Sequence, residues 1–264
     1  MYKRQIVPIA DANARYAAKE TLVLPAHVLI PGLVNAHTHA AMTLLRGIAD
    51  DVPLVSWLQQ HIWPREARFV APDFVFDGTL LAAAEMLQGG TTTCADMYFH
   101  PADASRAFEA AGMRAMLGIP VLDFPTPYAA DADAYLQRGL AARDAFAHAP
   151  RLRFALAPHA PYTVGDDTWR KIVMYARQLD LAIFTHLAET RTEVDDARRA
   201  TGVTPLARLE ALGVTGPSFI AVHGVHLSPA DIAILAAQGS HVVHCPASNM
   251  KLASGIAPVQ AMLD

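Results

Sequence analysis

The sequence predicts an α/β fold of the (β/α)8 TIM-type barrel kind, incomplete, with seven strands present and the eighth missing. Three observations carry this. Apolar runs of strand length alternate along the chain with segments of helical periodicity, joined by short loops, and such alternation folds as a parallel sheet. No Gly-rich phosphate loop follows the first strand, as the open doubly wound alternative would require. Five predicted strands end at or next to histidine, and barrels collect their functional residues at the C-terminal ends of the strands.

Taken in order, residues 6–9 and 21–24 read as short strands around a helix over 11–20. They are too little for an independent domain. With Met1-Tyr2-Lys3-Arg4-Gln5 set aside as an assembly scar, residues 1–28 are assigned as the remnant of a small β-domain and 29–264 as the barrel. The run Leu29-Ile30-Pro31-Gly32-Leu33-Val34-Asn35-Ala36-His37-Thr38-His39 reads as a buried strand ending in two histidines. Residues 40–47 form a loop or short helix, and 52–67 place aromatic and apolar side chains at helical spacing. A helix over 72–88 opens on Pro72 and closes on Gly89-Gly90. Strands are then expected at 91–97, 114–121, 152–158, 181–185, 219–222 and 240–244. Helices are expected at 101–111, 131–147, 166–179, 192–200, 205–212 and 229–238. Residues 246–252 read as a polar loop, and a helix beginning at 256 leads towards an eighth strand that the sequence does not contain.

Composition narrows the function. A chain of 264 residues that is 53% hydrophobic can bury a large core. Its net charge of −4 and lack of a basic run argue against a nucleic acid polymer as partner. No apolar stretch has the length of a membrane span, and no long apolar segment follows the first residues as in a signal peptide. Cys94 and Cys245, the only cysteines, both sit in strand-like runs, so free thiols and a reducing, cytoplasmic location are expected. The apolar stretch over 40–48 offers a surface for contact between copies in a homo-oligomer.

The histidines suggest the chemistry. In a strand, side chains two residues apart share a face, so His37 and His39 point the same way and make half of a metal site. His186, at the end of the 181–185 strand, completes a set of three, and a catalytic zinc keeps about three protein ligands and a water position. Glu189, three residues on, is placed to accept a proton from water and pass it to a leaving group or ring nitrogen. His223 ends its strand facing the same mouth, as a donor or electrostatic stabiliser. His159, flanked by Pro158 and Pro161, suits either a substrate contact or a structural role. His226 is out of phase and reads as structural, and His244 and Cys245 as part of a rim.

The stretches 31–39, His186 to Glu189, Val222-His223 and Ser248-Asn249-Met250-Lys251-Leu252 resemble the amidohydrolase superfamily, in the branch of triazine hydrolases and nucleobase or nucleoside deaminases. Within that branch, Met42 to Gly47, Asp96 to His100, Ala157 to Tyr162 and Leu252 to Val259 resemble deaminases of 5′-methylthioadenosine and S-adenosylhomocysteine. The resemblance implies one divalent metal, zinc first among the candidates, held by His37, His39 and His186. It implies Glu189 and His223 as catalytic residues, and a small-molecule nucleoside substrate contacted by Glu66, His159 and Glu189. Glu66 would grip the ribose hydroxyls. Trp63 would either wall the apolar 5′-thio side or belong to the core. The reaction implied is hydrolytic deamination at C6 of the adenine ring, giving the inosine analogue and ammonia. Two departures stand out. The family's fourth ligand, an Asp at the end of the eighth strand, has no counterpart here. Some relatives also carry an arginine where this chain reads Gly118-Ile119-Pro120. The alternatives are a different ring (guanine, cytosine, a pterin or a triazine) and a non-catalytic, truncated barrel that binds metal weakly.

Overall fold

The computed structural model describes residues 7–264. The reading of residues 1–5, and Ile6 at the start of the first predicted strand, lie outside the described residues. The chain separates into two units, Met1–Pro31 and Gly32–Asp264. In the first, a helix α1 (Ile9–Arg15) forms, shorter at its C-terminal end than the predicted one. Residues 21–24 form no strand, and Leu22 and Val23 are exposed. Their composition suits a strand, but a strand forms only where a neighbour completes its hydrogen bonds, and among the described residues none is paired there.

The second unit is a parallel sheet ordered strictly by sequence: β1 (Leu33–Thr38), β2 (Thr91–Met97), β3 (Arg114–Val121), β4 (Leu152–Pro158), β5 (Ile183–Leu187), β6 (Phe219–His223) and β7 (His241–Val243). Each is paired in parallel with the next, as right-handed β–α–β units require. The seven predicted strands are all present, and no eighth is seen among the described residues. The short helices α2 (Leu54–Ser56) and α3 (Trp63–Phe69) flank a π-helical segment, Trp57–Ile62. The crossover helices are α4 (Pro72–Gln88), α5 (Pro101–Ala111), α6 (Ala132–Ala145), α7 (Asp166–Leu179), the pair α8 (Arg191–Thr201) and α9 (Pro205–Ala211), and α10 (Pro229–Gln238). Two short helices, α11 (Pro246–Lys251) and α12 (Val259–Leu263), follow β7.

Several expectations are corrected. The run over 29–39 is not a buried strand along its length. Pro31 has no N–H to give a ladder, the strand starts at Leu33, and Leu29 and Val34 are 87% and 67% exposed. β5 and β6 reach further than predicted, so His186 and His223 sit within strands rather than past them. β7 is only three residues long, which leaves His244 beyond its end and exposed. The predicted polar loop at 246–252 is helix α11, opened by Pro246, whose fixed φ suits the first helical turn.

The core has two layers. Between sheet and helices lie Ile119, Leu156, Trp169, Ile172, Leu209 and Phe219, all at most 1% exposed. Inside the curl of the sheet lie Met97, Ala155, Ala157, Phe184 and Val222. This inner layer is tight: a Cβ added at Gly118 would lie 2.7 Å from Ala157 Cβ and 2.8 Å from Phe184 Cζ. No longer side chain fits at 118.

The loop after β1 is fixed by the same close packing. Residues Ala40–Leu45 form a 3-10 turn seated on α4, with Ala40, Ala41 and Leu45 buried. Most of the apolar content over 40–48 is therefore used inside the chain rather than offered to another copy. Gly78 of α4 makes this possible, since a Cβ there would stand 2.5 Å from the Ala41 carbonyl oxygen. Gly78→Ala is expected to cost about 1–3 kcal/mol through overpacking, outweighing the better helix propensity of alanine. A melting temperature equal to that of the parent chain would contradict the close approach.

Candidate metal and acid–base site

Four strands and one turn deliver the side chains that converge at the C-terminal mouth of the sheet. His37 belongs to β1 and His39 follows directly after it. His159 follows β4, His186 comes from β5, and His223 ends β6 with φ at +78°, a strained setting for a residue with a side chain. The ring centroids of His37 lie 4.8 Å from His39, 4.9 Å from His186 and 5.7 Å from His223. Those of His186 lie 5.2 Å from His39 and 5.0 Å from His159. His37, His186 and His223 each offer a ring nitrogen within 4.8 Å of the others, the one such group of three among the described residues. His39 stands beside this group rather than within it.

The outer nitrogens determine what the inner ones can do. Nδ1 of His39 donates to the Met97 carbonyl, and Nδ1 of His186 donates to the His159 carbonyl at 2.8 Å. A carbonyl oxygen can only accept, so both Nδ1 atoms carry the proton and both Nε2 atoms keep a lone pair. His223 Nδ1 faces Asn249 Oδ1 at 2.8 Å, with the same consequence. Nε2 of His186 lies 3.1 Å from Nε2 of His37, and Nδ1 of His37 is buried with no partner. Two imidazole nitrogens this close, with neutral rings, need a proton or a cation between them. Nitrogens bound at about 2.0–2.1 Å around a tetrahedral zinc stand about 3.3 Å apart, so this pair fits one edge of such a site.

Burial shapes the charge. It lowers the pKa of His37, His39 and His186, and takes His159 and His223 down to about 4. Crowding by neighbouring imidazoles adds to the effect at His37 and His186. The cluster is therefore neutral at physiological pH, with its lone pairs free. Glu189 lies in the turn after β5, with Oε2 3.6 Å from His223 Nε2. Burial, helped by the charge of Glu193, pushes its carboxyl up to about 8. A carboxyl poised near neutrality both gives and takes a proton readily.

The cluster opens on two adjoining cavities. One, of about 250 Å³, is lined by His37, His39, His159, His186, Glu189 and His223. The other, of about 330 Å³, shares His39 and His159 and is otherwise largely apolar and aromatic, with Trp63, Phe99, Phe124 and Tyr128 in its wall. Its one carboxylate is Glu66, which accepts a hydrogen bond from Tyr98 Oη at 2.8 Å and whose pKa is raised by burial. Every site residue expected from the sequence thus lines one connected region. His244 does not reach it, and His226 instead contacts the Ser254 carbonyl oxygen.

Sequence reasoning passed over three buried polar residues that support this group. Asp96, in β2, accepts the Ala40 N–H at 2.7 Å and so pins the backbone next to His39. Asn249 orients His223, and Glu193 binds the turn that carries Glu189. Signals existed for each: a charge inside an apolar strand, a place in the Ser248 to Leu252 motif, and a Thr-x-x-Glu spacing at a helix start.

Fold and cluster define the class, an α/β barrel centred on histidines at its strand ends. The amidohydrolase family profile matches residues 28–264, and the chain belongs to that family. It is 45% identical over 258 residues to a 5-methylthioadenosine/S-adenosylhomocysteine deaminase of Saccharophagus degradans, covering 98% of this chain and 58% of that protein. It is 42% identical over 236 residues to a 5′-deoxyadenosine deaminase of Methanothermobacter thermautotrophicus, covering 89% of this chain and 55% of that one. Among solved structures, an adenosine deaminase of Xanthomonas campestris with bound zinc superposes with a TM-score of 0.95 at 48% identity, over 97% of this chain and 58% of that one. The chain thus spans little more than half the length of the relatives it matches.

The buried acids give the site a pH signature. Asp96, Glu189 and Glu193 reach about 7, 8 and 7 through burial, against ordinary values of 3.8 to 4.5. Between those limits the folded chain holds more protons than the unfolded one, so stability falls as pH rises. The histidines act oppositely, losing stability as pH drops from 6.5 towards 4. From about pH 7 upward the histidines are largely neutral in both states and the carboxyls dominate. The melting temperature of the metal-free chain is therefore expected to fall between pH 7 and 8. A flat or rising trace would mean that these carboxyls are already ionised at pH 7 in the fold.

Proposed function

We propose that the protein is a zinc-dependent deaminase of adenosine-type nucleosides, converting 5′-methylthioadenosine and S-adenosylhomocysteine to the inosine analogues with release of ammonia. The observation that carries this reading is the pairing of two features. A near-neutral buried carboxyl, Glu189, lies at a cluster of neutral histidines, and the adjoining apolar cavity contains a single carboxylate, Glu66. His37, His39 and His186 would hold the metal, as the Nε2 lone pairs of His39 and His186 and the unpartnered His37 ring allow, with His223 alongside as an acceptor. Zinc, when bound, supplies a Lewis acid that makes water acidic enough to attack at neutral pH.

The chain's own groups do the rest. Glu189 takes the proton of the attacking water and delivers it to N1 of the adenine ring. The second water proton goes to the departing amino group, which leaves as ammonia from C6. His223, neutral and held by Asn249 with its Nε2 lone pair turned inward, accepts a hydrogen bond from the attacking water beside Glu189 and so orients it. Glu66 accepts both ribose hydroxyls, while the Tyr98 hydroxyl steadies one of its oxygens. The aromatic wall receives the 5′ substituent. No Lys or Arg lines that cavity, and Gly118 has no room for one, so an uncharged methylthio group is matched better than a homocysteine carboxylate. Two free cysteines, one buried and one half-buried, are in keeping with a cytoplasmic setting.

The test is ammonia release by the zinc-loaded protein, as its gene encodes it, from 5′-methylthioadenosine, S-adenosylhomocysteine, guanine and cytosine. Turnover of guanine or cytosine in place of the nucleosides would sink the proposal, and zinc binding with no turnover at all would favour a non-catalytic barrel. Glu189→Gln is expected to lower kcat about 10²–10⁴-fold with zinc still bound, as loss of a general acid–base does. Glu66→Ala is expected to reduce kcat/KM for nucleosides at least about tenfold more than for free bases, since buried groups made to pair a hydroxyl discriminate strongly. Equal losses on both would reject the ribose contact.

A further inference from the structure

The turn that carries Glu189 is shaped by a second carboxylate. Glu193, buried in the first turn of α8, accepts the Ala188 N–H on Oε1 at 2.8 Å and the Glu189 N–H on Oε2 at 2.9 Å. Its own N–H donates to Thr190 Oγ1 at 3.2 Å. Thr190 and Glu193 have the spacing of a capping box, in which the acid returns to the N–H of the capping residue itself. Here its two short bonds reach one and two residues further back. Ala188 is held at φ +51°, a left-handed setting that alanine avoids, and its carbonyl is fixed from the other side by the His226 N–H at 2.9 Å. The chain therefore turns sharply after Leu187, and the Glu189 side chain comes back to within 3.6 Å of His223.

We propose that Glu193 is a positioning residue, whose carboxylate ties the Ala188 and Glu189 N–H groups into the turn that aims the Glu189 carboxyl at the histidine cluster. This rests on the reading of Glu189 as the proton carrier. The two jobs need a carboxylate: glutamine brings one oxygen and sets an NH2 group against the second N–H. Misplacing a reacting group by about 1 Å costs about 10²-fold in rate. The groups facing Glu193 are Glu189 from its own turn and Tyr162 from the loop after β4, whose hydroxyl pKa is raised by burial and by both glutamates.

The experiment compares Glu193→Gln with Thr190→Ala, which removes the helix cap and leaves the clamp. Amide exchange by NMR is expected to speed up at least about tenfold at Ala188 and Glu189 in Glu193→Gln, with the remaining α8 amides still protected. kcat for 5′-methylthioadenosine is expected to fall about 10–10²-fold with KM within about twofold and the pH profile displaced, whereas Thr190→Ala keeps the parent kcat. Unchanged exchange at the two amides, a parent-like kcat in Glu193→Gln, or an equal loss in Thr190→Ala would each overturn the assignment. If Glu193→Gln does not fold, Glu193→Asp, one methylene short, is read by the same two measurements. Full turnover by Glu189→Gln would overturn the proton-carrier reading instead, and amide exchange would still decide the clamp.

Discussion

The architecture depends on one electrostatic constraint: several imidazoles share a buried space in which none of them takes a second proton at neutral pH. At His39, His186 and His223 the lone pair points inward because the other ring nitrogen is occupied from outside. The acceptors come from neighbouring segments, the Met97 carbonyl beside His39, the His159 carbonyl beside His186 and Asn249 beside His223. Strand order thus becomes chemistry. A parallel register that sets Thr38 against Asp96 and Leu187 against His223 also sets each ring against the acceptor that fixes its tautomer.

The same constraint explains where the backbone is strained. His223 and Ala188, at the exits of adjacent strands, both take left-handed conformations, and each is held by bonds to the other's segment. The Gly224 N–H donates to the Leu187 carbonyl and the His226 N–H to the Ala188 carbonyl. Two non-glycine residues in this region cost free energy that only surrounding bonds can offset, and such strain gathers where side-chain direction matters most. The interlock between the β5 and β6 exits brings the Glu189 carboxyl and the His223 ring together.

Much of this was legible in the sequence because barrel helices and buried strands have clear periods and clear stops. Helices α4, α5, α7 and α10 and strands β2, β3 and β4 lie where apolar spacing and Gly or Pro boundaries put them. The histidines at strand ends named the site region. The errors have a common physical origin. Leu29 and Ile30 look like core, but they precede Pro31, and exposure there is decided by neighbours that a single strand's composition does not reveal. Residues 40–48 look like an interface because their partner, the bare backbone face at Gly78, has no apolar signature of its own. The roles of Asp96 and Asn249 were hidden, since a hydrogen bond across 56 or 26 positions of chain leaves no pattern in spacing, whereas Glu193 acts within five positions and left a Thr-x-x-Glu spacing.

The π-helical segment Trp57–Ile62 gives the chain an optical property. Trp57 and Leu58 in its turn border both the histidine cavity and the aromatic one, and Trp63, just beyond, borders the aromatic one. Two of the three tryptophans therefore sit on one short stretch beside both cavities, and the third, Trp169, is sealed in the helix–sheet core. Indole emission follows local polarity and nearby quenchers. Filling either cavity would change the surroundings of Trp57 or Trp63 and leave Trp169 as a constant background. The protein carries a built-in fluorescence gauge of occupancy, with an internal reference.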